Sequence, residues 1–233
     1  MVTSEATIGV TDASSIEVAR SDRESALSLG KVLELALMSG PAIFQSIVVL
    51  AQVNQPGYNP VRDTISSLVW GTGGWLQTLN FFLIGSLLVA MAHMLRARLA
   101  GKITELMGCL SLALMGAGFI VLGIFPARAP ASPQSLPAMI HGVTVYCIIL
   151  LFLAACLFLA CSLRDLAQSR AMLLYTVATG ILCAVFIIMG IFIMVTHTYW
   201  FGILERVLLL NGFIWLVVVA YTALDHQAGG ARI

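Results

Sequence analysis

The chain has 233 residues, of which 60% are hydrophobic and only 10% are charged, with a mean hydropathy of +0.99 and a formal net charge of +1. A soluble domain carries about 25% charged residues, so this composition excludes a water-soluble globular protein. The small net charge argues against a nucleic-acid partner, because no basic patch is large enough to collect phosphates.

Residues 1–31 form a polar N-terminal segment rich in serine, threonine and acidic residues. The segment lacks the basic start and short apolar core of a signal peptide. We therefore expect a disordered cytoplasmic tail with a frayed helical end near 15–31. Residues 225–233 are expected to form a second cytoplasmic tail.

Six apolar runs follow the tail, and each is close to the 20 residues or so that a membrane-spanning helix needs. The runs are 32–53, 75–95, 105–125, 139–163, 172–195 and 203–223. Their connections are too short for a soluble domain. The sequence therefore predicts an all-α integral membrane protein, a six-transmembrane helix bundle over residues 32–224.

Basic residues in short loops indicate which side of a membrane is cytoplasmic. Three lie in connections on the side opposite the N terminus: Arg62, Arg128 and Arg206. The other nine lie on the N-terminal side: Arg20, Arg23, Lys31, Arg96, Arg98, Lys102, Arg164, Arg170 and Arg232. We therefore expect a multi-pass protein of the cell membrane with both termini in the cytoplasm.

The connection after the first span, GYNPVRDTISSLVWGTGGW at residues 57–75, is the most polar stretch between two spans. Asn59 followed by Pro60 is typical of a helix start, and Gly71 of a helix end. About ten residues cannot cross a bilayer. The pattern predicts a short outer helix, interfacial or re-entrant, with Asp63 in its first turn.

Asp63 and Glu205 are the only acidic residues expected on the outer side. Glu205 and Arg206 begin the sixth span, where charges are costly unless they are paired or hydrated. Neighbouring residues on a helix point about 100° apart, so we expect pairs between Arg62 and Glu205 and between Asp63 and Arg206. Such pairs would form a structural clamp or part of a functional site.

His141 begins the fourth span at the same outer level. We take Asp63, His141 and Glu205 as candidate acid/base groups, and the remaining polar and aromatic residues of this side as candidate lipid-binding residues. The latter are Tyr58, Asn59, Arg62, Ser66, Trp70 and Arg206.

No metal or cofactor is expected. His141 and His197 are the only histidine pair on one side, and we expect His197 to be too exposed to hold haem; Asp63, His141 and Glu205 could supply three zinc ligands, but their spacing does not require it. The cysteines lie within the spans without a CxxC motif, which favours packing: Cys109, Cys147, Cys156, Cys161 and Cys183.

Four motifs together resemble one family: the run GYNPVRDTISSLVWGTGGWLQTLNF, the later LGIFP, a histidine heading the fourth span, and FGILERVLLL. They are similar to the membrane proteins catalogued as domain of unknown function 998, over roughly residues 35–224. The resemblance implies a six-helix fold with no established activity. Its signature positions are Tyr58, Asn59, Pro60, Asp63, Ser66, His141, Glu205 and Arg206.

The chain departs from the family pattern after FP, where Ala127-Arg128 stands in place of an acidic residue. If the family uses that acid, this member lacks part of a shared activity or Arg128 acts differently.

Three functions stay open at this point. The first is a cavity for a lipid or another hydrophobic small molecule, lined by the outer polar cluster. The second is an intramembrane enzyme acting on a lipid or isoprenoid by acid/base chemistry. The third is an accessory subunit of a larger membrane complex, with a membrane protein as partner in addition to membrane lipids. The sequence does not decide whether the protein is an enzyme.

Overall fold

The computed structural model describes residues 13–99, 101–196 and 199–230. Within these ranges the chain forms six α helices and a short 3-10 helix between the first two. The α helices are α1 (Ala13–Val53), α2 (Gly74–Arg98), α3 (Ile103–Ile124), α4 (Leu136–Ala167), α5 (Arg170–Thr196) and α6 (Phe201–Gly230), and the 3-10 helix covers Ile65–Trp70.

Each α helix contains a segment that is long and apolar enough to cross a membrane. These segments are Leu35–Val53, Gly74–Arg98, Ile103–Ile124, Leu136–Ala167, Arg170–Ile193 and Phe201–Thr222. They coincide with the six predicted runs, so the prediction of an all-α, multi-pass membrane protein is confirmed.

The two predicted tails overlap the ends of the first and last helices, α1 and α6. α1 begins at Ala13, so residues 13–31 are helical, while residues 1–12 lie outside the described residues. α6 continues to Gly230. The assignment of both segments as cytoplasmic tails stays a prediction.

Two compact units are distinguished, one that ends at Leu35 and one that begins at Ala36. The site described below belongs to the second unit.

Within the second unit, successive helices from α2 to α5 pack against one another, and α6 contacts α5, α4 and α2. The backbones of α2 and α3 approach each other closely. A Cβ atom on Gly85 would lie 2.6 Å from the carbonyl oxygen of Gly116, and the reverse distance is also 2.6 Å. Small residues at such a crossing allow backbones to approach closely, which favours association of helices in lipid.

Aromatic side chains connect the helices in the core. Phe44 of α1 contacts Phe81 of α2 and Phe213 of α6, with ring centroids 6.4 Å and 5.1 Å apart. Phe152 of α4 meets Trp215 of α6 edge to face at 5.6 Å. The indole nitrogen of Trp215 donates to the Thr176 hydroxyl at 3.3 Å, so this buried polar atom is paired.

The connection between α1 and α2 differs from its prediction. Asn59 and Pro60 begin a single turn, and the chain is extended at Thr64 (φ −72°, ψ 153°) before the 3-10 helix begins at Ile65. The expected helix start at Asn59 is therefore wrong. Gly71 ends the 3-10 helix as predicted, and Gly73 precedes α2 with φ +82°, a conformation that favours glycine. An interfacial or re-entrant position for this segment stays a prediction.

Candidate functional site

The turn at residues 59–63 is closed by its own hydrogen bonds. The Asn59 side-chain oxygen accepts from the Val61 N–H at 2.9 Å, and the Asn59 carbonyl accepts from the Asp63 N–H at 2.7 Å. In return, the Asp63 carboxylate accepts from the Asn59 N–H at 2.8 Å. Asn and Asp side chains favour such turns because they bond to nearby backbone groups. The role of Asn59 is thus to close this turn.

Arg62 and Asp63 pair with each other. The Arg62 Nε and Nη2 atoms donate to the two carboxylate oxygens of Asp63 at 2.7 Å and 3.0 Å. The Arg62 guanidinium, followed by the Asn59 N–H, holds the pKa of the Asp63 carboxyl below its ordinary value, although burial acts in the opposite direction. The predicted side-chain pairs of Arg62 with Glu205 and of Asp63 with Arg206 are therefore wrong. The rule that neighbours do not pair applies to helices, and this turn is not helical.

Arg206 fastens the turn to α6 through backbone carbonyls. Its Nη1 atom donates to the carbonyl oxygens of Pro60 (2.8 Å), Asp63 (3.0 Å) and Gly202 (2.8 Å). Hydrogen bonds from a charged donor are stronger than neutral ones. Arg206 therefore acts on the turn's backbone, whichever side chains the turn carries.

Tyr58 contributes a second set of contacts to Arg206. The Arg206 Nη2 atom donates to the Tyr58 hydroxyl, and the guanidinium carbon lies 5.6 Å from the centre of the ring. The hydroxyl donates towards the carbonyl oxygens of Thr64 (2.9 Å) and Asp63 (3.1 Å). Burial raises the pKa of this hydroxyl, which keeps its proton available for these acceptors.

Gly202 permits the close approach of the turn to α6. A Cβ atom there would lie 2.5 Å from the Asp63 carbonyl oxygen and 2.7 Å from that of Pro60. The next residue, Ile203, donates its N–H to the Val61 carbonyl at 3.1 Å, so the first turn of α6 is bonded directly to the loop. Sequence reasoning missed Gly202, although its place three residues before Glu205 in FGILER was visible.

Glu205 joins α6 to the 3-10 helix. Its Oε2 atom accepts from the Ile65 N–H at 2.7 Å. A second link comes from Trp70, whose indole nitrogen donates to the Ala127 carbonyl oxygen at 2.9 Å. The 3-10 helix is thus held at its start by α6 and at its end by the loop between α3 and α4.

His141 is buried, with 4% of its surface exposed. Its Nδ1 atom lies 2.7 Å from the Phe125 carbonyl oxygen, and its ring meets Phe81 edge to face at 6.4 Å. Within the described part of the chain, its Nε2 atom is buried without a hydrogen-bond partner. Buried polar atoms are usually paired, so an unpaired one makes His141 a candidate partner for a ligand atom.

A cavity of about 420 Å³ lies between α4, α5 and α6, next to the 3-10 helix and the loop between α3 and α4. Its polar lining residues gather where α4 and α6 begin: Thr64, Ser66, Arg128, Gln134, His141 and Glu205. Beyond His141 the lining continues along α4 from Gly142 to Leu150, about 12 Å at 1.5 Å per residue, and apart from the Tyr146 hydroxyl this stretch is apolar. The cavity is therefore elongated, with a polar end and an apolar end.

The predicted site residues fall into two groups. Ser66, His141 and Glu205 line the cavity. Tyr58 and Arg206 dock the turn against α6, and Trp70 docks the 3-10 helix against the loop after α3. The side chains of Asn59, Arg62 and Asp63 bond within the turn itself. Among the described residues, no cluster of three histidine, cysteine or acidic side chains is placed to hold a metal ion. Thr64 and Gln134 were missed, because as isolated polar residues in loops they gave no signal.

Ala127 and Arg128, where the sequence predicts a departure from the family pattern, both lie at the cavity. The Ala127 backbone receives the Trp70 hydrogen bond, and this contact depends on no particular side chain at that position. Arg128 is exposed and places a positive charge at the polar end.

The family model described as "Protein of unknown function (DUF998)" matches residues 38–222, which contain the docked turn, the 3-10 helix and the whole cavity. No curated protein and no solved structure matches the chain.

Proposed function

The chain belongs to the DUF998 family, and from that premise we propose that it binds a lipid or another hydrophobic small molecule in the cavity between α4, α5 and α6. The observation that carries the proposal is the cavity's polarity, with charged and hydroxyl groups at one end and a mostly apolar path of about 12 Å beyond them. This pattern matches an amphiphile, whose head needs polar partners and whose chain needs apolar walls. The volume lies within the range of about 300–1,000 Å³ that is usual for ligand sites.

An entrance from the surrounding lipid supports the same proposal. Tyr146, Leu150 and Ile191 line the cavity and are also 46%, 57% and 55% exposed on the surface of the bundle. Tyr146 and Leu150 lie on α4 and Ile191 on α5. An amphiphile in the bilayer would therefore reach the cavity between these two helices without leaving the apolar phase.

We also place the polar end of the cavity on the outer side of the cell membrane. The support is the distribution of basic residues along the sequence, which favours cytoplasmic termini. The turn, the 3-10 helix and the loop after α3 would then cover the outer end of the cavity.

A pair of phenylalanine substitutions tests the binding proposal. Gly142 lines the cavity, and a Cβ atom there would meet no heavy atom within 4 Å, so Gly142→Phe should fill the cavity. Its neighbour Val143 is 64% exposed and lies outside the lining, so Val143→Phe is the matched control. Mass spectrometry of lipid co-purifying with the protein should show loss in Gly142→Phe alone.

Equal retention of lipid in both variants would refute the proposal. If a second protein co-purifies in a fixed ratio with every variant and no lipid does, the accessory-subunit interpretation is favoured.

Acid/base catalysis on the bound lipid is a second candidate function. Glu205 and His141 line one cavity, whereas Asp63 is paired with Arg62, so the candidate acid/base groups reduce to Glu205 and His141. If the protein is an enzyme, purified protein should convert its co-purifying lipid over time, and Glu205→Gln should retain the lipid unchanged. Recovery of unaltered lipid from the native protein after long incubation would argue for binding alone.

A further inference from the structure

The polar end of the cavity also restricts the chemistry of the ligand's head group, an inference that rests on the proposed binding function. The Nδ1 atom of His141 lies 2.7 Å from the Phe125 carbonyl oxygen, which can only accept. Nδ1 therefore carries a proton. Because a charged imidazolium is costly in a buried position, the ring is neutral and Nε2 is a hydrogen-bond acceptor.

This acceptor is unsatisfied by the described part of the protein. His141 is 4% exposed and is one of the residues that line the cavity. A ligand atom that donates a hydrogen bond to Nε2 would satisfy it, whereas a phosphate or carboxylate oxygen would place two acceptors against each other.

Glu205 adds a second acceptor in the same wall. Its Oε2 atom receives the Ile65 N–H, and the lone pairs that this bond leaves free on the carboxyl group can accept further hydrogen bonds. In its ionised form Glu205 also repels an anionic head. The positive charge at this end belongs to Arg128, which is exposed, so an anion would be held by Arg128 and solvent and not by His141.

We infer that the cavity selects amphiphiles whose head donates hydrogen bonds, a hydroxyl or an amine, over amphiphiles with a phosphate or carboxylate head. Nε2 of His141 and the carboxylate of Glu205 receive the donors, and the apolar path along α4 receives the chain. The two sources of this chemistry are neutral polyol lipids and long-chain amines.

The experiment measures binding of four probes that share one saturated chain: a monoacylglycerol, a primary amine, a lysophosphatidate and the alkane without a head. Each probe competes with a radiolabelled monoacylglycerol for binding to the purified full chain. Each hydrogen bond of ordinary net strength changes affinity about tenfold, so the monoacylglycerol or the amine should bind at least about tenfold more tightly than the lysophosphatidate. Whichever of these two probes binds more tightly shows whether the ligand is a neutral polyol lipid or a long-chain amine.

His141→Asn is the diagnostic variant, because an asparagine amide can still donate to the Phe125 carbonyl but has no atom in the place of Nε2. It should weaken the preferred donor probe about tenfold and leave the alkane unchanged. Val143→Leu, outside the lining, should change neither probe. Unchanged alkane binding also shows that the variant is folded.

The outcomes separate the inference from the function it rests on. Equal binding of all heads, or tighter binding of the lysophosphatidate, would overturn the inference and leave the binding function intact. If no probe displaces the labelled monoacylglycerol, or if Gly142→Phe binds the label as the native protein does, the binding function itself is overturned, and the inference with it.

Discussion

Substitution of Gly202 by alanine tests how the turn at 59–63 is docked on α6. The added Cβ atom would lie 2.5 Å from the Asp63 carbonyl oxygen, 2.7 Å from that of Pro60 and 3.0 Å from the Arg62 carbonyl carbon. All three are backbone atoms, which cannot rotate away as a flexible side chain does. The turn must therefore move off the helix.

The magnitude follows from what that movement breaks. Overpacking a tight contact costs about 1–3 kcal/mol. Displacing the turn also weakens the Ile203–Val61 bond and the Arg206 bonds to Pro60 and Asp63, which together adds about 1–2 kcal/mol because groups at this partly exposed surface can bond to water instead. Alanine offsets about 0.5–1 kcal/mol of this through its helix propensity. We expect a net destabilisation of about 2–4 kcal/mol.

Unfolding of the purified protein in detergent, by heat or denaturant, measures the effect. Gly212→Ala is the matched control on the same helix, because its Cβ atom would meet only the Phe152 ring at ordinary distances from 3.6 Å. Gly212→Ala should leave stability unchanged or raise it by up to about 1 kcal/mol. Equal stability of the two variants would refute the docking described here.

Three further predictions concern charge and orientation. Arg206→Gln should destabilise the protein by about 3 kcal/mol or more, whereas Arg62→Gln, which breaks an exposed pair, should change stability much less. Because Arg206 bonds to the backbone of Asp63 and only its charge acts on the carboxylate, Arg206→Gln and Asp63→Asn should couple by less than about 1 kcal/mol in unfolding experiments, and stronger coupling would contradict this. The lowered pKa of Asp63 means that its stabilising contribution is present above the ordinary carboxyl pKa and is lost as the pH falls through the lowered value, so Asp63→Asn should flatten the acid side of the stability profile, and an unchanged profile would argue against the pair. In a background lacking the native cysteines, Ser132→Cys should react with an impermeant thiol reagent added outside cells and Ser169→Cys should not; the reverse result would invert the topology.

The spans were predictable because hydropathy is a local property. Each predicted run overlaps an observed helix, since about 20 apolar residues have few alternatives to a spanning helix. The end of the short helix at Gly71 was predictable as well, because glycine commonly ends a helix. The resemblance also indicated the polar residues that gather near α6.

The error at Asn59 has a tertiary cause. The local pattern predicts a helix start there, but the helix begins at Ile65, whose N–H is bound by Glu205, 140 positions along the chain. No local pattern contains that contact. The partners of Arg62 and Asp63 were wrong for the same reason, since a helical geometry was assumed for a turn.

The cavity itself was beyond sequence reasoning. It depends on how α4, α5 and α6 pack, and its apolar lining residues, such as Phe186 and Leu208, are indistinguishable in sequence from residues that face lipid. Likewise, the crossing at Gly85 and Gly116 becomes visible only when the helices are placed side by side.

The most direct test of the central claim is photo-crosslinking with a monoacylglycerol that carries a diazirine near the end of its chain. Labelled residues are mapped by mass spectrometry in the native protein and in Gly142→Phe. The account predicts adducts at the apolar end of the cavity, on Ile149, Leu150, Ile187 or Leu208, which disappear in Gly142→Phe. Adducts spread over outward-facing residues such as Leu79, Leu110 and Leu174, and unchanged in the variant, would contradict it.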